Sequence, residues 1–278
     1  MSNDATVPLD SFGTIRELTL GGRRIVAFVP KRIVPTTPIL VAHDAQTYMV
    51  PAEQTWNGLN WGVADAIAAG RIRGDANGNL PLILSMHLTD VATRLNELAP
   101  QDFFETQPEL WLQLVLEKAS PSTLLTGNKY VDDIANLVIP EACELFGIAH
   151  SAERTAVSGS SMGGLASLYA LGRHPQTFGW ALAFSTHWPI GGKPLVEYLI
   201  GQIPTDGAHR VWTDRGTLGL DASYEPFHTA AVAELNARGF RRDVDFIAAE
   251  FHGTEHSETF WARRIEYPSN WWLETKKG

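Results

Sequence analysis

The chain has 278 residues, 44% of them hydrophobic and 19% charged, with a formal net charge of −9. That length supports one large domain or two small ones around a substantial core, and the composition is that of a globular chain, not a disordered one. The acidic balance, with Lys and Arg scattered and no basic stripe, argues against nucleic acid or an anionic membrane surface as a partner.

From the N-terminus, Met1-Ser2-Asn3-Asp4 lacks the charged-then-apolar profile of a secretory leader, and nowhere do about 18 apolar residues run together to span a bilayer, so a cytoplasmic location is expected. Thr14–Leu20 and Arg24–Val29, joined by Gly21-Gly22, predict an antiparallel hairpin. Pro38–Ala42 predicts a short buried strand ending at His43-Asp44. Asp65–Arg71 predicts a helix, Asp75-Ala76-Asn77-Gly78-Asn79 a turn, and Leu80–Met86 the next strand. The turn starts like a calcium loop but lacks the glycine and glutamate such a loop needs further on. A helix is predicted at Leu110–Glu117. A longer one follows over Val131–Phe146, with Ile134, Leu137, Val138, Ala142 and Leu145 at helical spacing and Pro140 as a kink or a new start. Cys143, the single cysteine, lies in this helix; it rules out an intrachain disulfide framework and reads as a buried structural thiol. Thr155–Ser158 predicts a buried strand and Gly164–Leu171 a helix. Trp180–Phe184, Arg210–Thr213 and Val244–Ala249 predict three more strands, with a helix at Thr229–Arg238. Tyr48–Trp61, Gln101–Asn128 and Thr186–Thr205 read as loops.

Strand and helix in alternation imply a mostly parallel central sheet with helices on both faces and the first hairpin as an antiparallel edge. No repeat or linker divides the chain, so residues 1–278 are expected to form a single α/β domain. Reactive groups in such sheets collect at the carboxyl ends of the strands.

Gly159-Ser160-Ser161-Met162-Gly163 is a G-x-S-x-G pentapeptide between a predicted strand and a predicted helix. Such a pattern turns up by chance in roughly one chain in ten of this length. The context lends it weight: a serine on so sharp a turn projects its hydroxyl above the sheet, beside the positive end of a helix. A nucleophilic serine also needs a base, an acid that orients the base, and donors for an oxyanion, and in this arrangement the order is Ser, acid, His. Asp214 and Asp221 follow on a strand and a glycine-broken loop. Asp221 is preferred because a loop carboxylate can bend toward a histidine; Asp214, nearer the strand body, is the alternative acid. His256 lies in a polar loop beyond the last strand and is the expected base, with His252 a structural or pocket-wall residue. The backbone amides of Met162 and Gln46 are the candidate oxyanion donors. His252 and His256 have a metal-ligand spacing, but Gly253 argues against the helix it needs. Trp56, Trp61, Trp188 and Trp261 could line a pocket or simply pack, and Arg94 and Glu97 read as an ion pair.

These segments resemble an esterase family of α/β hydrolases that includes enterobactin esterases, feruloyl esterases, S-formylglutathione hydrolases and mycolyltransferases. The likeness rests on His43-Asp44-Ala45-Gln46, Arg94-Leu95-Asn96-Glu97-Leu98-Ala99-Pro100, Gly159–Gly164, Gly216–Pro226 and Glu255–Arg264. Ala45 stands where the family usually has glycine, and Gly219 where many members carry their acid. The resemblance implies an α/β-hydrolase fold with Ser161 as nucleophile, His256 as base, Asp221 as acid, and Met162 and Gln46 at the oxyanion. It implies a serine carboxylesterase acting on a small-molecule ester, without metal or organic cofactor; homo-oligomerisation stays open. Acyl transfer on the same machinery, or a binding protein with an inactive site, are the alternatives.

Overall fold

Eight strands form one sheet in a computed structural model that describes residues 9–49, 55, 58–118, 120 and 122–275. They are β1 (Gly13–Leu20), β2 (Arg23–Pro30), β3 (Ile39–Ala42), β4 (Leu82–Met86), β5 (Thr155–Ser160), β6 (Trp180–Phe184), β7 (Arg210–Gly216) and β8 (Phe246–Phe251). The order across the sheet is β1-β2-β4-β3-β5-β6-β7-β8. β2 pairs antiparallel with both β1 and β4, and all other pairings are parallel. This is the α/β-hydrolase architecture that the alternation of elements predicts, with the hairpin at one edge.

The period of two along each strand divides the core into two layers. Ile25, Ala27 and Val29 of β2, Ile39 and Val41 of β3, and Ala181 and Ala183 of β6 face one layer; Val26, Phe28, Leu40, Trp180, Leu182 and Phe184 face the other. The first layer is covered by α3 (Arg94–Leu98), α4 (Gln101–Glu105), α5 (Pro108–Glu117), α6 (Gly127–Asp133), α7 (Ile139–Phe146), α8 (Met162–Arg173), α9 (Gly192–Gln202) and α11 (Glu225–Ala237). The second is covered by α1 (Ala45–Tyr48), α2 (Val63–Ala68), α12 (Glu258–Ala262) and α13 (Glu266–Glu274). α10 (Gly219–Ala222) caps the end of β7.

Three segments depart from the sequence reading. The single helix read over Val131–Phe146 is two helices: a π-type turn at Ile134–Val138 joins α6 to α7, and Pro140 falls in the first turn of α7, the new start that is one of its two readings, where a missing N–H costs no bond. Cys143 in α7 is half-buried, and burial pushes its thiol up. Within Thr186–Thr205, read as a loop, α9 buries Leu195, Val196, Leu199 and Ile200 on one face. That spacing was legible, but Gly191-Gly192-Lys193-Pro194 reads as a breaker and in fact occupies the start of the helix. Gln101–Asn128, also read as a loop beyond Leu110–Glu117, opens with α4. No helix among the described residues is long and apolar enough to cross a membrane.

Candidate active site

Ser161 is the single residue between β5 and α8, with φ 57° and ψ −119°. A non-glycine residue held there costs of order 1–3 kcal/mol, and the surroundings over-determine it. Its N–H donates to the Phe184 carbonyl at 3.0 Å, and its own carbonyl accepts from Gly164 at 3.1 Å, Leu165 at 3.3 Å and His187 at 3.1 Å. The pentapeptide glycines are needed for close approach: a Cβ on Gly159 would lie 2.8 Å from the Gly163 backbone.

Asp221, in α10, is fully buried, and its two oxygens are divided between two tasks. Oδ1 meets His256 Nδ1 at 2.6 Å. Oδ2 accepts from the Ser185 hydroxyl at 2.6 Å and the Gly216 N–H at 2.7 Å. Burial works against the carboxylate charge, yet the bonds from His256 and Ser185 hold it below the usual carboxylate range. The His256 ring is packed edge-on by Trp261, centroids 4.9 Å apart, and by Tyr224 at 5.5 Å. The Tyr224 hydroxyl in turn is hydrogen-bonded to His187 Nδ1. His252 is no pocket wall: it is exposed on the surface, 3.3 Å from Glu250.

Asp214 is engaged elsewhere. It pairs with Arg264, itself 1% exposed, at 2.8 Å, and accepts from the Trp212 indole at 2.9 Å and the Ser185 N–H at 3.0 Å. Arg264 also donates to the Ser185 hydroxyl at 2.8 Å, and Trp261 does so at 3.1 Å. Asp214 and Arg264 therefore hold Ser185, and Ser185 orients Asp221. Sequence reasoning missed both Ser185 and Arg264. The polar step Phe184-Ser185-Thr186 after a buried strand was the one local signal, and Arg264 reaches the site from 50 positions beyond Asp214.

The turn after β3 packs on the elbow: a Cβ on Gly163 would sit 3.4 Å from both His43 and Asp44. Ala45 lies in α1 at ordinary helical angles, so the family's glycine is not required; the left-handed residue is Asp44, at φ 58°. Met162 opens α8, where the first amides lack helical acceptors. Met162 lines the cleft beside Ser161, whereas Gln46 is not among the residues lining it. Arg94 does not pair with Glu97. It grips Asp44 in a two-pronged contact of 2.7 Å and 2.7 Å, while Glu97 takes Arg23 at 3.3 Å and the Thr89 hydroxyl at 2.5 Å.

Behind this turn His43 is buried, its Nδ1 2.8 Å from the Tyr130 hydroxyl, and its Nε2 finds no partner among the described residues. Burial chiefly, with Arg94 adding to it against the pull of Asp44, lowers its pKa from 6.5 to about 4. The folded state thus refuses a proton that the unfolded chain takes up below pH 6.5. The stabilisation is complete above that pH and is lost as pH falls toward 4. His43→Asn, which keeps a hydrogen-bonding group for Tyr130, is expected to remove about 1–3 kcal/mol of this acid sensitivity. Urea unfolding at pH 7 and pH 4.5 would measure it; an equal loss in variant and wild type would refute it.

The cleft over Ser161 has a volume of about 390 Å³, with Leu95, Met162, Ile190 and Leu220 as apolar walls and Arg94, Lys118 and His187 as polar ones. Trp61, Trp188 and Trp261 are buried packing residues; Trp56 lies outside the described residues. The segment at Asp75 is a turn closed on the Asp75 carboxylate.

Sheet order and helical layers define the α/β-hydrolase class. A family model described as Putative esterase matches residues 123–266, about half of the chain, and the chain belongs to that family. Comparison with curated protein sequences finds no match. Among solved structures, it is similar to the enterobactin esterase of Shigella flexneri solved in the presence of enterobactin, with a TM-score of 0.65 and 16% identity over 95% of this chain and 61% of that one. It is also similar to an enterobactin and salmochelin hydrolase (TM-score 0.61, 15% identity, 92% and 94% of the two chains). The ferulic acid esterase of the anaerobic fungus Anaeromyces mucronatus is a third (TM-score 0.59, 14% identity, 97% and 92%). The chain spans about three fifths of the length of the Shigella enterobactin esterase. At these identities the likeness is one of fold.

Proposed function

We propose that the protein hydrolyses carboxylic esters through an acyl-enzyme on Ser161. His256 takes the hydroxyl proton as Ser161 attacks the carbonyl carbon, then passes it to the leaving alcohol; water, deprotonated by the same ring, releases the acid. Asp221 fixes the imidazole with its proton on Nδ1 and stabilises the imidazolium that forms. The Met162 amide, and in this reading that of Gln46, would receive the oxyanion. None of these steps calls for a metal or organic cofactor.

The observation that carries the reading is the 2.6 Å bond from the buried Asp221 to His256 Nδ1, on the side of the sheet where Ser161 caps a helix in a strained turn. A structural aspartate would need neither the histidine nor the left-handed serine. The apolar walls suit a small ester with an apolar acyl group.

The test is labelling by a fluorophosphonate probe, with peptide mapping, beside an ester panel that includes p-nitrophenyl acetate, enterobactin and a ferulate ester. The last two enter because the similar structures are named for them. A probe adduct on Ser161 with turnover of at least one ester is expected. A wild-type protein that takes no label would be a non-catalytic member of the family.

A further inference from the structure

Ser185, the first residue after β6, is fully buried and stands at φ 39°, on the left-handed side where a side chain is strained. Its N–H donates to Asp214 Oδ1 at 3.0 Å. Its hydroxyl meets three polar groups, and their chemistry leaves it one arrangement. A hydroxyl has one proton to give and two lone pairs to fill. The Trp261 indole N–H at 3.1 Å and the Arg264 Nη2–H at 2.8 Å can only donate, so they take the lone pairs. The proton then goes to Asp221 Oδ2, at 2.6 Å.

The ion pair behind Ser185 does not need this hydroxyl. Asp214 is bonded by Arg264 at 2.8 Å, by the Trp212 indole at 2.9 Å and by the Ser185 backbone N–H, and an alanine would leave all three bonds in place. What the hydroxyl adds is a fixed donor on Asp221. Together with the Gly216 N–H at 2.7 Å it fills Oδ2, so Oδ1 is left for His256 Nδ1 at 2.6 Å. Burial works against the charge on Asp221, and the bonds from His256 and Ser185 work for it.

We propose that Ser185 is a positioning residue of the active site: Arg264 and Trp261 commit its hydroxyl to Asp221 Oδ2, and that bond keeps Oδ1 facing His256 Nδ1. The inference rests on the Ser161–His256–Asp221 mechanism given above. In that mechanism Asp221 touches no substrate; it acts on the imidazolium, which exists only while bonds are made and broken. Loss of the Ser185 hydroxyl is therefore felt in kcat and not in KM. It is also felt in the pH profile. The titratable and charged groups around Asp221 are His256 from the loop after β8, Tyr224 after α10, and Asp214 of β7 with Arg264 behind Ser185. Of these only His256 bonds to its oxygens, so nothing replaces the lost donor. A buried carboxylate with one donor fewer takes up a proton at higher pH.

The experiment compares Ser185→Ala and Ser185→Gly with wild type, by p-nitrophenyl acetate hydrolysis across the acid limb of the pH profile and by thermal unfolding. Both variants lack the hydroxyl, but glycine relieves the strain at φ 39° and alanine keeps it, so Ser185→Gly should be the more stable. In both, kcat is expected to fall about tenfold or more, the rate equivalent of one hydrogen bond to a charged group, with KM within about threefold of wild type. The acid limb should move to higher pH in both. A packing role alone would make activity follow stability, with Ser185→Gly near wild type and the acid limb in place; that result overturns the proposal. So does a loss confined to KM. If Ser185→Ala does not fold, Ser185→Gly decides alone. A wild type without hydrolysis would sink the triad mechanism, and the proton spectrum then carries the test. The His256 Nδ1–H, identified by its absence in His256→Ala, should give a downfield signal that Ser185→Gly shifts or abolishes. A signal unmoved by Ser185→Gly overturns the positioning role even in that case.

Discussion

Ser161→Ala should lower kcat for p-nitrophenyl acetate by roughly a millionfold, the scale seen when a triad serine is removed. On the proposed mechanism no neighbour replaces Ser161: Ser160 belongs to β5 and Cys143 lies in α7. Because the proposed mechanism makes Ser161 and His256 one unit, adding His256→Ala to Ser161→Ala should change little more. The backbone supplies a second readout. At φ 57° and ψ −119°, alanine keeps the strain of serine, whereas Ser161→Gly relieves it. Ser161→Gly should therefore be as inactive as Ser161→Ala but more stable by about 1 kcal/mol, read as a rise in melting temperature. A Ser161→Ala protein that kept more than about one hundredth of its activity would place the nucleophile elsewhere.

Asp221→Asn should lower kcat about ten-thousandfold while leaving the fold intact. The geometry explains why so small a change is so harmful. Ser185 and Gly216 both donate to Oδ2, so an asparagine would settle with its oxygen there and its NH₂ toward His256. That forces the imidazole proton onto the other nitrogen, where the base must be free. Asp214→Asn makes the opposite case. It leaves the buried Arg264 facing a neutral partner, an uncompensated charge that costs about 3–5 kcal/mol. The melting temperature should fall by about 10 °C, and kcat by no more than about tenfold, because the Asp221–His256 contact is untouched. Steady-state kinetics and thermal unfolding on the two variants check both halves. If Asp214→Asn lost activity while Asp221→Asn kept it, the roles of the two carboxylates would be exchanged.

Those two aspartates also mark how far the sequence could be read. Ser161 was legible because its signal is local: a buried strand, a tight turn of small residues and a helix, all within some twenty positions. His256 was legible from its place beyond the last strand. The choice between Asp214 and Asp221 leaned on a local argument, a loop carboxylate against a strand one. The structure adds a reason from outside the segment, since Arg264 comes from the C-terminal part of the chain to occupy Asp214. The same limit explains the misread ion pair. Arg94 and Glu97 are three apart on α3, a spacing that invites pairing, yet each meets a stronger partner from a distant segment: Asp44 for one, Arg23 for the other.

By itself, then, the sequence determined the eight strands and several of the helices between them, because periodicity, turn residues and chain order are short-range properties; α4 and α9 lay in segments that read as loops. It determined the strand-to-helix turn that carries Ser161 for the same reason. What tertiary structure decided is the partnership of charged and polar groups: Asp214 with Arg264, Asp44 with Arg94, His43 with Tyr130, and Tyr224 with His187. Burial makes an unpaired polar group expensive, so each of these side chains takes whatever partner the packed sheet brings within reach, and that neighbour is set by the fold and not by position along the chain.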